Sequence, residues 1–63
     1  MNKIKLIRKS LNMTIRKLAE ESKVAVGYLS TLENDKEGKT NPTRDVMIRI
    51  SEALDSTVPE VFF

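Results

Sequence analysis

Apolar residues recur along this chain at helical rather than strand spacing, and polar punctuation divides them into five segments. Ile4, Ile7 and Leu11 fall at i, i+3 and i+7, which predicts a first helix from an Asn2 cap to about Leu11, ended by Asn12. Thr14 caps a second helix over about 15–22 that turns Leu18 and Ala19 inward, with a break expected near Lys23. Val24 leads into a third helix over about 25–33, with Leu29 and Leu32 on one face and Tyr28 at its edge. The run from Asn34 to Pro42 is polar throughout and holds Gly38 and Pro42, the composition of a loop. Thr43 caps a fourth helix to about Leu54, in which Met47, Ile50, Ser51 and Leu54 repeat at i, i+3, i+4 and i+7. Thr57-Val58-Pro59-Glu60 has the T-x-x-E form in which threonine and glutamate side chains cap each other's backbone. It starts a last short helix ending in Val61-Phe62-Phe63.

No segment alternates at period two for long enough to make a strand. The expected class is therefore all-α, a compact five-helix domain over residues 1–63 without repeats, linkers or low-complexity stretches. A chain of 63 residues buries only roughly 60% of the surface its unfolded form exposes, so a partner is a natural source of added support. Cysteine and histidine are both absent, which removes disulfides, thiolate nucleophiles, imidazole bases and the commonest zinc ligands together. Glu20 and Glu21 are helix neighbours that point apart, and no nucleophile and base can be paired from the rest. No catalysis, metal, cofactor or small-molecule ligand is expected. No apolar run approaches the ~20 residues of a membrane span, and charges occupy the place of a leader peptide's apolar stretch. The reading is a soluble, cytoplasmic protein.

The net charge is only +2, but it is unevenly placed. Up to residue 23, Lys3, Lys5, Arg8, Lys9, Arg16, Lys17 and Lys23 are balanced only by Glu20 and Glu21. From residue 45 onward, Asp45, Glu52, Asp55 and Glu60 outweigh Arg49. An electropositive half suits a polyanionic partner; a wet basic face with no partner has the same composition.

The most informative stretch is 15–32. A short helix, a small Ala19 where two helices can cross closely, a turn of a few residues, and Leu29 and Leu32 returning to one core are the ingredients of a helix-turn-helix. Its second helix stands proud enough to enter a major groove.

Ile4-Lys5-Leu6-Ile7-Arg8-Lys9, Met13-Thr14, Leu18-Ala19-Glu20, Tyr28-Leu29-Ser30-Thr31-Leu32-Glu33-Asn34, Asn41-Pro42-Thr43 and Ala53-Leu54, in that order and spacing, resemble the lambda-repressor-like (Cro/CI, or XRE) helix-turn-helix family over nearly the whole chain. The resemblance implies a DNA-binding transcriptional regulator, of repressor type, acting on double-stranded operator DNA as a homodimer. It places the helix-turn-helix at about 15–33 and the base-reading positions on Val26, Gly27, Tyr28 and Thr31. Phosphate-contacting positions fall on Ile15, Arg16, Lys17 and Ser30, and after the recognition helix on Asn34, Lys36, Lys39, Asn41 and Thr43. Arg8 and Glu33 match a pair that ties the first helix to the end of the recognition helix as a structural salt bridge.

The chain also departs from the family pattern. Ile15 replaces a usual Gln, Lys23 stands where Gly supplies a left-handed turn, Ser22 occupies an apolar anchor position, and Ala25 replaces a capping Ser. The left-handed lysine at 23 and the missing cap at Ala25 each cost on the order of 1 kcal/mol. Val26 and Gly27 offer no hydrogen bonds to base edges, so readout rests on Thr31, Tyr28, thymine methyl contacts, phosphates and DNA shape.

Alternatives stand beside each of these. Val26 fits a thymine methyl or an ordinary exposed apolar residue. Lys36 and Lys39 fit phosphate contact or a solubilised loop, and Lys3, Lys5 and Lys9 fit a wet helix face. Val58, Val61, Phe62 and Phe63 fit either the end of the monomer core or a dimer seam, with one Phe inward and the other toward a partner. At the level of function, the alternative is a protein-interaction module such as an antitoxin or anti-repressor, which the plain residues Val26, Gly27 and Ile15 favour.

Overall fold

In the computed structural model, which describes residues 2–63, three of the five helices begin at a threonine whose hydroxyl accepts a backbone N–H. The helices are α1 (Ile4–Ser10), α2 (Ile15–Ser22), α3 (Val26–Glu33), α4 (Arg44–Ala53) and α5 (Val58–Phe62). Thr14 accepts from Lys17 at 3.0 Å and Thr43 from Val46 at 3.2 Å. At α5 the cap is reciprocal: the Thr57 hydroxyl accepts from Glu60 N–H, and the Glu60 carboxylate accepts from Thr57 N–H at 2.8 Å. α3 differs, because Ala25 at its N-cap has no side chain with which to accept. The chain is all-helical, with no strand among the described residues.

The first helix begins and ends differently from its expected bounds. Its N-cap position falls on Lys3, while Asn2 acts from one residue earlier: its Oδ1 accepts from Ile4 N–H at 3.1 Å and its Nδ2 donates to Leu32 O at 3.0 Å. Asn2 therefore starts α1 and pins it to α3 at once. α1 stops at Ser10, so Leu11 leaves the apolar stripe and stands exposed. The cause is Asn12, which takes a left-handed backbone (φ 55°) and turns the chain before Leu11 can complete the face. Asp55 ends α4 in the same conformation, at φ 53°.

Ile4, Leu18, Val24, Leu29, Leu32, Ile50, Leu54 and Val61 form the core, with Ile7, Met13, Ile15, Ala19, Tyr28, Val46, Ala53 and Phe62 packed around it. α2 lies against both α4 and α3, α4 supports α5, and α1 is held between α3 and α5. Burying one such Leu or Ile side chain contributes about 1.5–3 kcal/mol, more than the ~1 kcal/mol of a typical cap. Packing therefore fixes the angle of α3 despite its missing cap. Two buried serines interrupt this core: Ser22 Oγ donates to Leu18 O at 2.7 Å, whereas Ser51 Oγ has no partner among the described residues.

The end of the chain divides sharply. Val61 has no exposed surface, so of the two places open to it, monomer core or dimer seam, it takes the core, and its carbonyl accepts from Lys3 N–H at 2.7 Å. Phe62 is half-buried against that core, Val58 is half-buried, and Phe63 is 85% exposed.

Candidate nucleic-acid interface

Between α2 and α3 the chain must reverse in three residues, and the reversal rests on Lys23. Its backbone is left-handed, φ 60° and ψ 35°, a geometry that costs a lysine on the order of 1 kcal/mol. Its N–H donates to Ala19 O at 2.9 Å. From α4, Arg49 reaches across to this turn: Nε donates to Ser22 O at 3.0 Å and Nη2 donates to Lys23 O, while Nη1 pairs with Asp45 at 2.9 Å. The guanidinium thus satisfies carbonyls left open at the end of α2, where a cation also meets the negative end of the helix dipole.

The far end of α3 is fixed by a second arginine. Arg8 donates from Nε and Nη2 to the two Glu33 oxygens at 2.8 and 3.0 Å, and from Nη1 to Met13 O at 2.8 Å. The two side chains are only 12% and 4% exposed. The hydrogen bond with Glu33, reinforced by its charge and opposed by burial, raises the Arg8 pKa above its ordinary value. A bidentate pair of this kind restricts rotation as well as distance, so α1, the α1–α2 connection and α3 are locked together.

Held at both ends, α3 presents Val26, Gly27 and Thr31 to solvent. Val26 is 42% exposed. A side chain built at Gly27 would meet nothing within 4 Å. Thr31 donates its hydroxyl proton to Gly27 O at 3.0 Å, which leaves its oxygen as an acceptor toward an incoming base. Tyr28 is half-buried against the core and Ser30 is half-buried as well. Asn34 donates to Ser30 O at 2.9 Å, so of its amide group the oxygen remains open. No acidic residue lies in the first turn of α3, and the N–H groups there have no side-chain cap.

Cations occupy the segments on either side. Arg16 and Lys17 are exposed on the first turn of α2, where Lys17 also pairs loosely with Glu21 at 3.5 Å. Ile15 is packed against the core, which leaves its backbone rather than its side chain available to a phosphate. After α3, Lys36, Lys39 and Asn41 are exposed; Lys39 pairs with Glu37 at 3.1 Å, both side chains largely in solvent. Thr43 is exposed with its hydroxyl engaged in the cap of α4. The loop closes on Asp35, whose carboxylate accepts from the N–H groups of Lys39 and Thr40. These bonds, that from Thr40 foremost, hold the Asp35 carboxyl below the usual range.

Asp35 and Arg49 are the two participants that sequence reasoning passed over. Their partners are backbone groups, which leave no side-chain pattern; only the Asp45-x-x-x-Arg49 spacing on a helix was visible. Among the described residues, no helix is long and apolar enough to cross a membrane.

A family model described as helix-turn-helix matches residues 4–61. Searches of curated proteins and of solved structures return no significant match.

Proposed function

The chain belongs to the lambda-repressor-like (XRE) helix-turn-helix family of DNA-binding regulators, and from that premise we propose that it is a repressor of Cro/CI type that occupies operator DNA in the cytoplasm as a homodimer. The observation carrying this reading is an outward edge of α3, from Val26 to Thr31, free of acid and set between the cations Arg16 and Lys17 and the cations Lys36 and Lys39. In it, α3 enters the major groove. Val26 packs on thymine methyls, Thr31 and Tyr28 offer oxygen atoms to base edges, and Gly27 lets the helix approach closely. Ile15 through its backbone, Ser30, Asn34, Asn41 and Thr43 join the four cations along the phosphates.

Size supports the dimer. The Cα trace measures 26 × 22 × 21 Å, short of the ~34 Å between half-sites one helical turn apart, so one copy reaches one half-site. Phe63, next to the half-buried Phe62 and the most exposed of the large apolar side chains among the described residues, offers an apolar surface for joining two copies, with Val58 half-buried on the same helix as Phe62.

The test is a binding selection from random duplexes followed by a salt titration on the winning sequence. With four cations gripping phosphates, affinity is expected to fall with a log–log slope of about −3 to −4 per protomer. A short motif weighted toward A·T steps is expected. Absence of enrichment together with salt-independent binding would overturn the reading. The exposed apolar residues Val26 and Phe63 favour one competitor, a protein-interaction module of antitoxin or anti-repressor kind. That competitor is selected instead if a protein complex survives Arg16→Ala, Lys36→Ala and Lys39→Ala while the unmodified chain shifts no DNA.

A further inference from the structure

The loop between α3 and α4 holds two carboxylates beside the cations assigned to phosphates: Glu37, which pairs with Lys39 at 3.1 Å, and Asp35, which simple electrostatics counts as a fault. Its geometry says otherwise. Asp35 Oδ1 accepts from Lys39 N–H at 3.0 Å, Oδ2 accepts from Thr40 N–H, and the Asp35 carbonyl accepts from Gly38 N–H at 3.4 Å. Gly38 supplies the reversal with φ 69°, the left-handed region open to glycine. Residues 35–40 are thus wound around one side chain. The other backbone bonds of this segment are local, Asp35 N–H to Leu32 O and Lys36 N–H to Asn34 O. Beyond Gly38 N–H no backbone–backbone bond among the described residues holds the loop, so Lys39 and Thr40 depend on the carboxylate. Asp35 makes no ion pair with Lys36 or Lys39 among the described residues, so neither ammonium is tied down by it.

We propose that Asp35 is a positioning residue for DNA: its carboxylate folds the α3–α4 loop so that Lys36, Lys39 and Asn41 meet the phosphate backbone together, and an acidic side chain thereby raises affinity for a polyanion. The proposal rests on the DNA-binding reading above. An unordered loop loses entropy when its lysines are immobilised on phosphates; a loop already closed on Asp35 has lost it on folding. The depressed carboxyl pKa agrees with a carboxylate engaged by amide donors.

The sign of one substitution separates this from plain electrostatics. Removing an acid from a surface that meets DNA tightens binding if only charge counts, whereas losing the loop's organiser weakens it. The probe is a labelled random-sequence DNA duplex titrated with the full chain. Asp35→Ala is expected to bind about tenfold more weakly, a change of 1.4 kcal/mol, and to flatten the salt slope by about 1–2 as lysines drop out of contact. Asp35→Asn, which keeps one acceptor oxygen, is expected to fall between; it is read in the same assay should the alanine variant fold poorly. In a Lys36→Ala/Lys39→Ala background the cost of Asp35→Ala is expected to vanish, because the residues it positions are gone. A wild-type chain that binds duplex while Asp35→Ala binds as tightly or more tightly overturns the proposal alone, as does an undiminished cost in the double-lysine background. A wild-type chain that binds no duplex overturns the DNA-binding reading and the proposal with it.

Discussion

Single residues here gain their meaning from the space around them. Gly27 sits inside α3, where glycine costs roughly 0.5–1 kcal/mol relative to alanine, and nothing lies within 4 Å of where its Cβ would be. The fold therefore has no packing reason for glycine at this position. Gly27→Ala is expected to raise the melting temperature by a few degrees, at about 4–8 °C per kcal/mol for a chain this small, and to weaken operator binding about tenfold. Thermal melts and anisotropy titrations read the two effects separately, and a variant both more stable and tighter on DNA would remove the close-approach role assigned to Gly27. Residue identity made some of this legible in the sequence. Thr14, Thr43 and the Thr57–Glu60 pair announce their own hydrogen bonds, and the Arg8–Glu33 pair followed from the family resemblance. Asp35 and Arg49 bind backbone N–H and C=O groups that every residue owns, so no choice of partner residue betrays them.

At the scale of elements, helix identity was readable because caps and apolar spacing agree, while helix ends depended on single left-handed residues. Leu11 illustrates the limit: its spacing suits the stripe of α1, yet Asn12 turns the chain and exposes it. Val24 illustrates the converse, since it lies outside any helix and periodicity says nothing of it, but the turn folds it into the core. That same turn carries a lysine in a glycine-like conformation and is braced by Arg49 from another helix. Arg49→Ala leaves the carbonyls of Ser22 and Lys23 without that donor, at a cost of about 1–2 kcal/mol, so a fall in melting temperature of roughly 5–15 °C is expected. Arg49→Lys is expected to recover less than half of it, since an ammonium cannot fork to two carbonyls and Asp45 at once. If chemical denaturation shows Arg49→Ala within a few tenths of a kcal/mol of the parent, the turn supports itself.

For the molecule as a whole, the titration behaviour follows from which carboxylates are held. Thr57 N–H lowers the Glu60 pKa and the amides of Thr40 and Lys39 lower that of Asp35. Each is depressed on folding, so each adds stability above the unfolded carboxylate range and loses it as pH falls through the lowered folded value. With no histidine in the chain, melting temperature is expected to be flat from about pH 6 to 8 and to decline below about pH 4.5. Asp35→Asn/Glu60→Gln is expected to flatten that decline; an equally steep decline in the double variant would place the acid sensitivity elsewhere. The separation of labour has a further consequence. Because α3 is anchored by Leu29, Leu32 and Glu33 while Val26, Gly27 and Thr31 stand exposed outside the core, mutations at those three positions can explore new operators with little cost to the fold. A regulator built this way can change its target one exposed residue at a time, and the vacant flank of Gly27 is where such divergence has the most room to begin.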